Sequence, residues 1–326
     1  RHNPSWVRTK LRSHKFILDD PPKSQFQDRL SLVSLLKSFG KEKNIWKARA
    51  IHADILKDKL LAKDVYIANT LMTTYFKCGA PEDAHKVFEL IPFQNVVSWN
   101  ALISGYAKNA LGDQALKSFL QMKDVGVLPN PVTYICALKA CGIVGCLEIG
   151  EDIYAEVKKQ GLLEKNAVLG TALVDMYCKC GFLEKAIQVF EQLPEKNVVS
   201  WSALIAGYAQ NGFGYEALDC FKQMKDVGLH PDVITYISVL KACGIVGSLD
   251  IGKEIDREVR TQGLLQKDGV LGNVLVDMYF KCGALNEAQE VFEQLPVRNV
   301  VTWNALISGY AQNKCGSEAL ECFGKM

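Results

Sequence analysis

The chain has 326 residues, of which 48% are hydrophobic and 23% charged, so it can bury a sizeable core and is not of the intrinsically disordered type. Its 38 Lys and Arg residues against 36 Asp and Glu residues give a formal net charge of +2, which excludes a strongly basic polyelectrolyte. A nucleic-acid partner would therefore have to meet positive charge arranged on one face.

Residues 1–28, with Pro21 and Pro22, are predicted to be a linker or the remnant of a leader. From there the chain is periodic, with units of 36 (29–64) and 31 residues (65–95), and then a block of 35, 36 and 31 residues (96–130, 131–166, 167–197). The same block fills 198–232, 233–268 and 269–299, and the last unit is truncated at 300–326. Because the chain starts at Arg1 and stops inside a unit, we expect it to be part of a longer protein.

Each unit is predicted to contain two helices. In 96–130 the apolar residues recur at helical spacing in two stripes, Trp99, Leu102, Ile103 and Tyr106, then Ala115, Leu116, Phe119 and Met122. Gly112 and Asp113 are expected to separate the two helices, and Gly126 is expected at the position after the second helix. In 167–197 the break is placed at Gly181. One such hairpin cannot bury its apolar stripe alone, so the pattern predicts an all-α, right-handed α-solenoid of stacked helix-turn-helix repeats with a concave inner face.

The 11 cysteines are not spaced as a disulfide framework, because Cys78, Cys180 and Cys282 recur once per block in the phrase KCG. This pattern favours small structural thiols in a reducing compartment. Cys178 and Cys180 form a C-x-C without a second pair or a suitable histidine, so no zinc site is expected. The zinc deaminase motifs H-x-E and P-C-x-x-C, the P-loop and the Rossmann glycine pattern are all absent, so we predict no enzyme activity and no cofactor for this chain.

The longest uncharged run, 197–215, is about as long as a membrane span. Its Asn, Gln and Gly content and its repetition in register with amphipathic segments favour a packed helix, so no membrane association is predicted.

The unit lengths and phrases resemble the pentatricopeptide repeat family, specifically its P-L-S subclass from plant organelles. The resemblance rests on VVSWNALISGYAKN…GVLPN for the 35-residue P units, VTYICALKACGIVGCLEIGE for the 36-residue L units, and LVDMYCKCGFLEKAIQVFEQLPEKN for the 31-residue S units. It covers about residues 29–326. In that family one repeat reads one RNA base through the fifth residue of its first helix and the last residue of the repeat.

The resemblance assigns a base to most units. Asn69 with Asn95 implies a pyrimidine, and Asn100 with Asn130 implies another, with cytosine slightly favoured. Thr171 with Asn197 implies adenine, Ser202 with Asp232 implies guanine, and Asn273 with Asn299 and the unpaired Asn304 imply pyrimidines. The L units carry Ile135 and Ile237 at position five, so Asn166 and Asp268 alone leave their bases open. The predicted site is 5′-YYNAGNYY-3′.

The resemblance also places apolar second residues against the bases; these are Tyr66, Val97, Val168, Val199, Val270 and Val301. Lys77, Lys179 and Lys281 recur at position 13 of the S units, where they either meet phosphates or form a solvated face. Trp99, Trp201 and Trp303 could stack on bases, but their position beside the core stripe favours a structural role. A single Asn such as Asn100 would most often bond only its own backbone or water, and it is the recurrence in register that favours base recognition.

Proteins of this subclass are mostly site-recognition factors for C-to-U editing. We therefore expect a sequence-specific binder of single-stranded RNA that positions a cytidine for a deaminase in cis or trans, with small editing cofactors at the L units. The organelle would be a mitochondrion or chloroplast, the mitochondrion slightly favoured. The alternatives are an organelle splicing or stability factor without editing, and a scaffold that binds protein in its groove.

Overall fold

The computed structural model describes residues 25–57, 60–266 and 268–326. Over these residues the regular structure is helical, without strands. The helices are α1 Gln25–Lys41, α2 Ile45–Lys57, α3 Leu60–Lys63, α4 Val65–Lys77, α5 Pro81–Glu89, α6 Val96–Lys108, α7 Gly112–Asp124, α8 Pro131–Val144, α9 Leu147–Lys159, α10 Ala167–Lys179, α11 Leu183–Glu191, α12 Val198–Gln210, α13 Gly214–Asp226, α14 Val233–Val246, α15 Leu249–Thr261, α16 Gly269–Lys281, α17 Leu285–Gln294, α18 Val300–Gln312 and α19 Gly316–Lys325.

The chain divides into two compact units, one up to Thr133 and the other Tyr134–Met326. In the first, α1, α4 and α6 pack side by side, and α5 and α7 pair with α4 and α6. In the second, α10, α12, α14, α16 and α18 follow one another in the same way, each paired with the next helix of the chain. Stacked helical hairpins of this kind define the all-α solenoid class that the periodicity predicts. Helix α1 begins at Gln25, ahead of the predicted first repeat, and residues 1–24 of the predicted leader lie outside the described residues.

Glycines and a helix-starting aspartate account for where the helices end and begin. Gly126 and Gly181 have φ of +79° and +81° just after their helices, where a residue without a Cβ adopts the left-handed conformation at no steric cost. The predicted break at Gly112 and Asp113 is wrong by a few residues, because α7 already begins at Gly112 and the turn is formed by 109–111. Asp113 in the first helical turn interacts favourably with the helix dipole, so it starts the helix instead of interrupting it.

The tryptophans are part of the core. Trp99 packs edge-to-face on Phe88 with ring centroids 4.6 Å apart, and Trp201 on Phe190 and Trp303 on Phe292 repeat the contact at 4.8 and 4.7 Å. Trp99 and Trp201 are buried. The structural role favoured by the sequence is therefore confirmed for Trp99 and Trp201, while Trp303 makes the same ring contact and is half-buried.

Close helix packing also explains the C-x-C phrase. A Cβ at Gly105 would lie 2.1 Å from the ring of Phe76, and a Cβ at Gly207 would lie 2.1 Å from Sγ of Cys178. Cys178 thus replaces a phenylalanine where two helices meet, and burial raises its pKa to about 12. In the described part of the chain no group of three or more His, Cys, Asp or Glu side chains is placed to hold a metal ion.

Helix α12, which lies in the longest uncharged run, ends at Gln210 after 13 residues. Of the helices in residues 25–57, 60–266 and 268–326, none has the length and apolar character needed to cross a membrane.

Candidate functional site

The predicted reading residues at repeat ends share a local structural role. Each lies at the N-terminus of the next first helix, where its side-chain oxygen accepts a backbone N–H that the helix cannot satisfy itself. Asp64 caps α4 in the same way. The predicted residues that act as such caps are Asn95, Asn130, Asn166, Asn197, Asp232, Asp268 and Asn299. One oxygen of each is therefore already used before any ligand is considered.

At the start of α8 the cap residue meets the fifth residue of α6. Asn100 Nδ2 donates to Asn130 Oδ1 at 3.1 Å, and the backbone N–H of Thr133 donates to the same oxygen at 3.0 Å. The hydroxyl of Thr133 donates to Asn100 Oδ1 at 2.6 Å. Thr133 is fully buried and Asn100 is nearly so, whereas Asn130 is half-buried. The structure thus brings the two predicted reading residues of 96–130 into direct contact.

The start of α14 repeats this arrangement with different side chains. Ser202 Oγ lies 3.3 Å from Asp232 Oδ1 and 2.5 Å from the hydroxyl of Thr235. Asp232 Oδ1 also accepts the backbone N–H of Thr235 at 2.8 Å and its hydroxyl at 2.7 Å. Asp232 Oδ2 has no hydrogen-bond partner among the described residues. The second pair therefore offers a free carboxylate oxygen beside a buried hydroxyl cluster.

The 31-residue units differ, because no hydrogen bond joins their fifth residue to the cap that follows. Thr171 Oγ1 bonds the backbone oxygen of Ala167 at 3.0 Å. Asn69 Oδ1 and Asn273 Oδ1 are buried and find no hydrogen-bond partner in the part of the chain that the structure describes. A buried carbonyl oxygen without a donor is costly, so a group that donates a hydrogen bond to either oxygen would bind favourably.

The other predicted base-edge positions are less organised. Asn304 on α18 is exposed, and Asn166 and Asp268, which cap their helices, are half-buried. Ile135 and Ile237, which take the fifth position in the 36-residue units, are half-buried and offer neither a donor nor an acceptor.

The residue after each first-helix start forms a recurring exposed apolar position. Tyr66 is 48% exposed, and the five predicted valines are 57–63% exposed, although the same residue type is buried elsewhere. The valines are Val97, Val168, Val199, Val270 and Val301. Two equivalent residues were not predicted from the sequence, Val132 at 53% and Ile234 at 61% exposed. Their position two residues after Asn130 and Asp232 was the signal that could have identified them. Such repeated apolar exposure indicates a binding surface.

The three predicted phosphate-contacting lysines are not equivalent. Lys179 pairs with Asp175 at 2.7 Å and Lys281 with Asp277 at 2.8 Å, each one turn earlier on the same helix. Lys77 has Thr73 at that position, so it lacks this carboxylate.

Stacked helix pairs that repeat the same polar and apolar positions at the starts of their first helices define a helical-repeat protein. Comparison with known families identifies which one. The family described as "PPR repeat family" matches residues 94–142 and 196–244, and the one described as "PPR repeat" matches 66–95, 171–198, 273–300 and 301–326. The chain belongs to the pentatricopeptide repeat family.

Among similar proteins of Arabidopsis thaliana, the chloroplastic pentatricopeptide repeat-containing protein At4g18520 is 38% identical over 92% of this chain and 48% of its own length. Protein At4g38010 is 37% identical over 92% of this chain and 53% of its length, and the mitochondrial protein At2g03380 is 35% identical over 92% and 43%. The chain thus spans about half the length of these relatives. PPR10, solved in complex with an 18-nt psaJ RNA element, has the same fold, with a TM-score of 0.64, 24% identity, and coverage of 86% of this chain and 42% of that one.

Proposed function

We propose that this chain binds single-stranded RNA sequence-specifically, one base per repeat, at a site of the form 5′-YYNAGNYY-3′. The observation that carries the proposal is the contact between Asn100 and Asn130, repeated by Ser202 and Asp232, each beside an exposed apolar residue. Paired polar side chains can address the edge of a base while the apolar neighbour packs on its face. The PPR10–RNA complex, formed by a protein of the same fold, supports the class of ligand.

The base preferences follow from the atoms left free. Asn130 Oδ1 accepts the N–H of Thr133, which can only donate, so Nδ2 is the atom available to a base. A donor there suits the N3 and O2 acceptors of cytosine. Asp232 offers Oδ2, an acceptor that suits the N1–H and N2–H donors of guanine.

The wider role proposed is site recognition in C-to-U editing of an organelle transcript, with the deaminase supplied in cis or trans. Small editing cofactors at the L units of a P-L-S array belong to the same proposal. The chloroplastic and mitochondrial names of the relatives support an organelle and do not favour one of the two. Binding without editing, as in a splicing or stability factor, would use the same surface.

The test is a fluorescence-anisotropy titration of the chain at fixed salt with labelled CCUAGUCC, competed by unlabelled CCUAGUCC or CCUGAUCC. Each wrong base is expected to cost on the order of 1–3 kcal/mol, so the exchanged RNA should compete at least tenfold more weakly. Equal competition would refute base recognition at Thr171/Asn197 and Ser202/Asp232. Absence of binding to either RNA would refute the RNA proposal and favour a protein ligand.

Two matched variants distinguish an effect on base preference from an effect on helix capping. Asp232→Asn keeps a side-chain oxygen for the cap of α14 but replaces the free acceptor by a donor, so it should lose the preference for guanine at the fifth base. Asp268→Asn makes the same change at a cap without a polar fifth residue, and it should leave the preference at the sixth base unchanged.

A further inference from the structure

The third residue of α8 and of α14 is a buried threonine, and neither threonine is among the predicted base-reading residues. Thr133 and Thr235 are both fully buried, and each hydroxyl lies between a fifth residue and a cap residue. The hydroxyl of Thr133 contacts Asn100 Oδ1 at 2.6 Å and Asn130 Oδ1 at 3.1 Å. It is therefore in contact with both members of the pair.

This contact restricts the fifth residue. An asparagine amide can rotate by half a turn and exchange its donor for its acceptor. With Thr133 donating to Asn100 Oδ1, the amide of Asn100 is held with Nδ2 toward Asn130, where it donates at 3.1 Å. Rotation would turn Asn100 Oδ1 toward Asn130 Oδ1, so that two acceptors would face each other in a buried site, and Asn100 Oδ1 would lose the Thr133 hydroxyl as its donor.

The first helices that follow the 31-residue units carry a hydroxyl at the same position without this contact. Ser98 Oγ reaches Asn95 Oδ1 at 3.3 Å, and Thr302 Oγ1 reaches Asn299 Oδ1 at 3.1 Å. Neither bonds the fifth residue before it, and Asn69 Oδ1 and Asn273 Oδ1 have no partner among the described residues. The hydroxyl alone is thus a cap, and only at the starts of α8 and α14 does it also reach the preceding fifth residue.

We propose that Thr133 and Thr235 are positioning residues that set base preference, each acting through the fifth and cap residues it bonds. The inference rests on the proposed RNA binding and deepens it. Each hydroxyl holds the fifth residue against the cap residue before RNA arrives, so that a single pattern of donors and acceptors faces the base. Without it Asn100 Oδ1 and Ser202 Oγ each lose a partner, the fifth residue is held less firmly, and a wrong base is rejected less strongly.

The experiment measures base preference, not affinity alone. For the unaltered chain, Thr133→Val and Thr133→Ser, dissociation constants are measured for CCUAGUCC and CAUAGUCC, which differ at the second base. Valine has the shape of threonine and keeps the backbone N–H that donates to the cap residue Asn130, so the chain should still fold. We expect Thr133→Val to lower the preference for cytosine about fivefold, the effect of losing one net hydrogen bond, and Thr133→Ser to retain it. Preference for guanine at the fifth base should stay unchanged in both.

Thr302→Val is the matched control, because its hydroxyl bonds only the cap residue Asn299. It should leave the preference at the seventh base, measured with CCUAGUAC, within about twofold of the unaltered chain. If Thr133→Val prevents folding, as monitored by circular dichroism, Thr235→Val provides the same test at the fifth base.

Unchanged preference in Thr133→Val, or an equal loss in Thr302→Val, would overturn the inference while RNA binding stands. RNA binding by the unaltered chain without base preference at the second and fifth positions would overturn it in the same way. No binding of the unaltered chain to any of these RNAs would overturn the proposed function as well.

Discussion

At the scale of single residues, the same side chain caps a helix and faces the proposed ligand. Asn130 uses Oδ1 for the backbone N–H of Thr133 and keeps Nδ2 free, and Asp232 uses Oδ1 and keeps Oδ2 free. Capping therefore decides which atom is presented, and the residue type decides whether that atom donates or accepts. An Asn and an Asp can thus occupy the same backbone position and, under the proposed function, select different bases.

Asn130→Asp should change the group that this predicted reading residue offers to a base from a hydrogen-bond donor to an acceptor. Aspartate also caps helices, so the stability of α8 should change little, but a free acceptor would replace the Nδ2 donor. We expect preference at the second base to move from cytosine toward uracil, whose N3–H is a donor. Anisotropy competition between CCUAGUCC and CUUAGUCC measures the shift, and unaltered preference for guanine at the fifth base is the control. A retained preference for cytosine would contradict the proposed orientation of Asn130.

At the scale of helices, ion pairs join the second helices of neighbouring repeats, and one of them has reversed polarity. Arg49 on α2 pairs with Asp83 on α5 at 2.7 Å. Lys253 on α15 pairs with Glu287 on α17 at 2.7 Å, with the cation again on the earlier helix. The equivalent pair between α9 and α11 is Glu151 with Lys185 at 2.6 Å, with the charges exchanged.

The reversal matters because the blocks are otherwise so similar that helices could dock on the wrong copy. If α9 packed on α17, Glu151 would face Glu287, and if α15 packed on α11, Lys253 would face Lys185. Like charges at such contacts disfavour the wrong pairing, whereas each correct pair is exposed enough to add little stability of its own. We therefore assign these pairs to the choice of partner helix more than to the stability of the fold.

A charge-swap series tests this assignment. Lys185→Glu alone should lower the free energy of unfolding by about 1 kcal/mol, and Glu151→Lys with Lys185→Glu should recover most of it in urea titrations. The double variant gives every block the same polarity, so its yield of monomer after refolding, measured by size-exclusion chromatography, should fall. Exchanging Glu321 and Lys325, which pair within one helix at 2.6 Å, should leave the yield unchanged. An undiminished yield in the double variant would refute the assignment.

At the scale of the whole molecule, a net charge of +2 leaves no general attraction for RNA, so any electrostatic contribution must come from a few recurring positions. Lys77, Lys179 and Lys281 are the cations that recur on the first helices of the 31-residue units. Two of them must give up an ion pair with Asp175 or Asp277 to meet a phosphate, whereas Lys77 need not.

Replacing these three lysines by glutamine should reduce the salt dependence of RNA binding. Each phosphate contact on a single strand contributes about 0.7 to the slope of log K against log salt, so the slope should become less steep by about 2. Lys77→Gln should weaken RNA binding more than either other single variant, because Lys179 and Lys281 exchange an ion pair for the phosphate contact. Lys225→Gln is the control, because this lysine on the second helix α13 bridges Glu254 and Glu258. An unchanged slope in the triple variant would assign the lysines to a solvated face.

The sequence alone determined the fold class, the helix pairs and most of the recurring positions. Helical periodicity and an internal repeat are properties of the chain that survive any detail of packing, so the core stripe from Trp99 to Met122 and the turns at Gly126 and Gly181 were predictable. The exposed second residues followed from register, and Val132 and Ile234 were within reach of the same argument. The start of α7 was misplaced because a glycine and an aspartate are compatible with both a break and a first helical turn.

Only the tertiary structure decided which side chains meet. The contacts of Asn100 with Asn130 and Thr133 join residues 30 and 33 positions apart, and their distances depend on how one helix pair stacks on the next. The sequence places a hydroxyl at the third position of α6, α8, α12, α14 and α18 and could not tell that Thr133 reaches a fifth residue while Thr302 does not. The same holds for Asn69 and Asn273, whose buried, unpartnered oxygens follow from packing. Local pattern sets which residues are available, and the stacking geometry sets which of them can interact.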